Sequence, residues 1–115
     1  MASPRTLYLH LEPALHTRVR MAAAKSARTV MSYCAHALRE GVLRPEGLGG
    51  ELVVERRSIQ QEVPLSEELI AALTTLGAGA RPVLSAHDIA YRILLRDVPV
   101  FIQAGEQIGW VRDGG

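Results

Sequence analysis

The segment Thr6-Leu7-Tyr8-Leu9-His10-Leu11 constrains this chain more than any other. Side chains alternate faces along a strand, so Leu7, Leu9 and Leu11 share one side while Thr6, Tyr8 and His10 share the other. A single short strand has no sheet to join, and a two-stranded ribbon is marginal unless helices pack on it. The segment therefore demands a partner strand and a helical backing. Pairing with the same strand of a second copy meets the first demand. The polar face of such a ribbon is then free, and a DNA major groove admits a two-stranded ribbon.

The residues that follow provide the helical backing. Leu15, Val19, Ala22 and Ala23 fall on one face of a first helix. Ser26-Ala27-Arg28-Thr29 interrupts it, and Thr29 is a favourable N-cap for a second helix with Val30, Cys34, Leu38 and Val42 on one side. This strand, helix, Arg-Thr-Val turn and helix resembles the ribbon-helix-helix family of bacterial and phage DNA-binding proteins. The likeness runs without gaps through Leu7-x-Leu9-x-Leu11, Leu15, Val19, Arg28-Thr29-Val30, Cys34 and Leu38, about a third of the chain.

The resemblance implies an α+β fold in which two chains intertwine and their strands form an antiparallel ribbon. It implies a dimer core of Leu7, Leu9, Leu11, Leu15, Val19, Val30, Cys34 and Leu38. Thr6, Tyr8 and His10 are then the base-contacting residues. Arg5, Arg28, Thr29, Val30 and Met31 are the phosphate contacts. Elementary electrostatics agrees on the last group, because a helix start offers unpaired N–H groups and a positive dipole end.

Charge is unevenly distributed. Residues 1–45 hold seven basic and two acidic side chains, a net +5, whereas residues 46–115 hold six basic and ten acidic, a net −4. Such asymmetry marks the first half as the surface for a polyanion. Phosphate contacts there supply salt-dependent affinity, and base contacts supply selectivity.

Size and composition limit the alternatives. At 115 residues the chain suits one ordinary domain or two very small ones, and its 4% aromatic content leaves the core to Leu, Val, Ile and Ala. A forty-residue module buries too little surface alone, so a homodimer, or a higher oligomer on DNA, is expected. The single cysteine, Cys34, reads as a small buried hydrophobe. No catalytic motif is present, and His10, His16, His36 and His87 lack metal-ligand spacing. We therefore expect no enzyme activity, cofactor or metal. The absence of a signal or membrane-spanning run makes a cytoplasmic location the expectation.

The remainder divides at Arg44-Pro45-Glu46-Gly47-Leu48-Gly49-Gly50. Residues 1–44 form the expected DNA-binding unit, 45–50 a linker and 51–115 a small α+β C-terminal domain that oligomerises or binds a partner protein. Within it, Glu51 to Val63 reads as extended, and Ser66 caps a helix through about Leu76. Ser85-Ala86-His87-Asp88 opens another as a capping box. Pro99-Val100-Phe101-Ile102 and Gln107-Ile108-Gly109-Trp110-Val111 read as a closing β-hairpin.

The same order also echoes the first half. Val63-x-Leu65, Leu69 and Leu73 answer Leu9-x-Leu11, Leu15 and Val19 at a displacement of 54, and Ser85 answers Thr29 at 56. A tandem ribbon-helix-helix chain is therefore a second arrangement, opposed by the acidic character of the second half and by Pro64 in its strand. The functions that fit are transcriptional repression, an accessory DNA-binding role in plasmid transfer or maintenance, and an antitoxin whose C-terminal half neutralises a toxin.

Overall fold

The structure is a computed structural model and describes residues 5–52 and 56–100. They form a small α+β domain of four helices and a two-stranded antiparallel sheet. In chain order these are β1 (Arg5–Leu11), α1 (Pro13–Lys25), α2 (Val30–Gly41), β2 (Ile59–Leu65), α3 (Glu67–Gly79) and α4 (Ala86–Asp97).

The partner of β1 is β2 of the same chain, which differs from the pairing with a second copy expected above. Leu7 lies opposite Val63, Tyr8 opposite Glu62, Leu9 opposite Gln61 and His10 opposite Gln60. Leu7, Leu9 and Leu11 are buried, and so are Val63 and Leu65. One chain thus buries the leucine face that had argued for an obligatory partner chain. Each fully buried leucine contributes about 1.5–3 kcal/mol relative to an exposed one. The residues expected as a dimer core, Leu15, Val19, Cys34 and Leu38 among them, join residues 63–98 in one hydrophobic cluster, with Val30 half-buried against it. The two halves, expected as separate units, share that core. The 54- and 56-residue displacements explain why: a sequence that repeats strand, helix, helix carries its own second ribbon strand. Cys34 and Leu38 even have buried counterparts in Ala90 and Leu94, again 56 residues on.

Pro64 does not end β2, which continues to Leu65. Each strand of a two-stranded sheet has one open edge, where a missing N–H breaks no ladder bond. The expected hairpin lies almost wholly outside the described residues, as do Phe101 and Trp110.

The helix ends follow local chemistry. Thr29 Oγ1 accepts from Ser32 N (3.1 Å), Ser66 Oγ from Leu69 N (3.2 Å) and Ser85 Oγ from Asp88 N (3.1 Å). Asp88 completes a capping box by accepting from Ser85 N. At the end of α1, Arg28 N donates to Ala23 O (2.9 Å) and Ala27 N to Ala24 O (3.1 Å). This is a Schellman closure, and it puts Ala27 at φ 56°, in the left-handed region.

The segment expected as a linker is tied down. Leu48 is buried, and Arg92 donates to Leu48 O (3.1 Å) and Gly50 O (2.7 Å). Arg96 donates to Arg44 O (2.6 Å) and Glu46 O (2.7 Å) in the segment after α2, and to Gly41 O (3.2 Å) in the last turn of that helix. At Gly41 an added Cβ would overlap Ile93 Cγ2, so glycine lets α2 and α4 meet there.

Candidate nucleic-acid interface

The ribbon has one buried face and one open face. Arg5, Thr6, Tyr8 and His10 of β1 are exposed, and so are Gln60, Glu62 and Pro64 of β2. Thr6, Tyr8 and His10 therefore stand where alternation put them, in a single row. Across from them stand Pro64, Glu62 and Gln60 respectively. Tyr8 is 47% exposed although it is a large ring, so this face lacks a covering element among the described residues. It offers hydroxyl, phenol, imidazole, amide and carboxylate groups on a ribbon held rigid from behind by helices.

Beside β1 the face continues into a groove of about 590 Å³ whose walls include Tyr8, His10, Arg57, His87, Asp88 and Tyr91. One of its walls, Tyr91, belongs to a buried polar pair. Glu12, directly after β1, is only 7% exposed, and Tyr91 Oη donates to its carboxylate oxygens at 2.8 and 2.7 Å. Burial first, and then this hydrogen bond, push the Tyr91 phenol well above its ordinary pKa, so it remains a donor. The Arg57 guanidinium lies 4.7 Å over the Tyr91 ring and 4.0 Å from Asp88.

The two helix starts differ in charge. α2 has no acidic residue in its first turn, and Arg28, Thr29 and Met31 at its entrance are exposed, with Val30 turned partly into the core. Arg28 forms no ion pair or side-chain hydrogen bond among the described residues. α4 instead places the Asp88 carboxylate at its own positive end. α2 packs on β2 and α4 on β1, so the bare start belongs to the helix backing the second strand.

Two of the basic residues counted in the first half serve the fold. Arg18 donates to the carbonyls of Leu95 (3.1 Å), Val98 and Pro99 (3.5 Å) at the end of α4. Arg44 pairs with Asp97 at 2.8 Å. Asp97 also accepts from Arg96, and that bond, ahead of the neighbouring charges, holds its carboxyl below the usual range. Cys34 is fully buried, and desolvation pushes its thiol up to about 12. It is a core residue.

Alternation in the sequence marks the β1 half of the open face, and the β2 half was not expected from it. The signal was available: the 54-residue displacement that links Leu9 to Val63 also carries Thr6, Tyr8 and His10 onto Gln60, Glu62 and Pro64. Among the described residues there is no group of three His, Cys, Asp or Glu side chains placed to hold a metal ion, and no helix long and apolar enough to cross a membrane. Comparison with protein-family models, curated proteins and solved structures found no match.

Proposed function

We propose that this chain is a sequence-specific double-stranded DNA-binding protein of the ribbon-helix-helix type, acting as a transcriptional repressor. The observation that carries the reading is the open polar face of the β1–β2 ribbon, backed on its other side by α2 and α4. A ribbon of this kind fits a major groove, where hydroxyl, imidazole and amide groups meet base edges. The acid-free start of α2, with Arg28 beside it, supports a phosphate contact. Repression follows from occupying a promoter and requires no chemistry. Both strands come from one chain, so a homodimer is not needed to build the ribbon, although copies can assemble side by side on DNA.

The test is binding of the full chain to labelled duplexes across a salt series. Affinity should fall steeply as salt rises. Arg28→Ala should weaken specific and random duplexes about equally and reduce the salt slope by about one unit. Absence of salt-dependent duplex binding would overturn the reading.

A further inference from the structure

The in-chain pairing has a geometric consequence for what the ribbon can read. At the 54-residue displacement, Thr6 corresponds to Gln60, Tyr8 to Glu62 and His10 to Pro64. In the observed register Tyr8 lies opposite its own counterpart Glu62. Thr6 lies opposite Pro64 and His10 opposite Gln60. The ribbon is therefore built about an approximate two-fold axis that passes between Tyr8 and Glu62. A ribbon made from two identical strands would present the same residues on both sides of that axis. This one presents a different residue at all three outward positions.

We propose that one chain of this protein reads a non-palindromic DNA sequence, with Gln60 and Glu62 of β2 acting as specificity-determining residues beside Thr6, Tyr8 and His10. The proposal rests on the DNA-binding function proposed above. The chemistry of the two rows supports it. A glutamine amide is suited to adenine, a carboxylate accepts from the cytosine amino group, and a proline ring offers only apolar contact, as to a thymine methyl. Threonine is less selective, bonding to several base edges or touching a thymine methyl, while tyrosine and histidine add a phenol and an imidazole that the β2 row lacks. Anchoring is unequal as well: α2 starts without an acid, whereas Asp88 occupies the start of α4. Two-fold symmetry in a protein is what makes its DNA site a palindrome. Here the side chains at the DNA-facing positions break that symmetry while the backbone keeps it.

The experiment is selection from randomised duplexes with the full chain, run beside a triple variant Gln60→Thr, Glu62→Tyr and Pro64→His. All three positions are exposed, so the core is untouched. The wild type should select a non-palindromic motif. The triple variant makes the outward rows alike and should shift the selected motif towards a palindrome. Gln60→Ala and Thr6→Ala should each relax discrimination about tenfold or more, on opposite sides of the motif centre. A palindromic wild-type motif, or a motif unchanged in the triple variant, would overturn the asymmetric reading while leaving DNA binding intact. Failure to enrich any duplex would instead overturn DNA binding itself, and this proposal with it.

Discussion

Among the described residues, Ala27 is the one non-glycine in the left-handed region. Its φ of 56° closes the Schellman turn between α1 and α2, in a region that costs an L-residue about 1–2 kcal/mol and glycine almost nothing. Glycine gives part of this back through its freer unfolded state. Ala27→Gly should therefore stabilise the protein by about 1 kcal/mol, read as a higher urea midpoint at unchanged slope. A lowered midpoint would show that the turn carries no strain. The position was legible through the resemblance, since ribbon-helix-helix chains often have glycine before the Arg-Ser/Thr step where this chain has Ala27, and alanine tolerates a left-handed turn poorly. The outward placement of Thr6, Tyr8 and His10 was legible, because strict alternation fixes the face of every side chain once the leucines are buried. Arg18 was not: its role depends on carbonyls at Leu95 to Pro99, brought to it only by the packing of α4 beside α1.

At the scale of elements, caps were the most readable features. Thr29, Ser66 and Ser85 each begin a helix one residue later and accept from the expected backbone N–H. Close approaches between helices left no such mark. Gly41 looks like a residue near the end of a helix, yet its missing Cβ is what lets Ile93 of α4 pack against α2. Filling that space should force side chains or backbone apart, at about 1–3 kcal/mol. Gly41→Val should accordingly lower the urea midpoint, and Gly47→Val, with nothing within 4 Å of its added Cβ, provides the contrast. Because Gly47 has a φ of 76°, its cost is backbone strain alone. Trimming Ile93 to Ala should therefore relieve part of the Gly41→Val loss and none of the Gly47→Val loss. Equal effects of that trimming on both variants would argue against the close approach.

For the whole molecule, the leucine pattern said what must be buried and left open which strand would bury it. A second copy and the chain's own second half satisfy the same alternation, since register is specified by the buried face and not by chain identity. The acidic balance and Pro64 argued for a separate C-terminal unit. Neither bears on the ribbon's inner face, where Val63 and Leu65 complete the core. The ribbon is formed by β1 and β2 of one chain. The direct test of that pairing is a double variant, Tyr8→Cys with Glu62→Cys, whose introduced thiols sit opposite each other in the register. Cys34, buried and held near 12, should not compete. After mild oxidation at micromolar concentration, a disulfide should form within one chain, seen by non-reducing mass measurement as a monomer two hydrogens lighter. Predominantly disulfide-linked dimers, with the thiol introduced on β1 of one copy joined to an introduced thiol on either strand of another, would contradict the in-chain pairing.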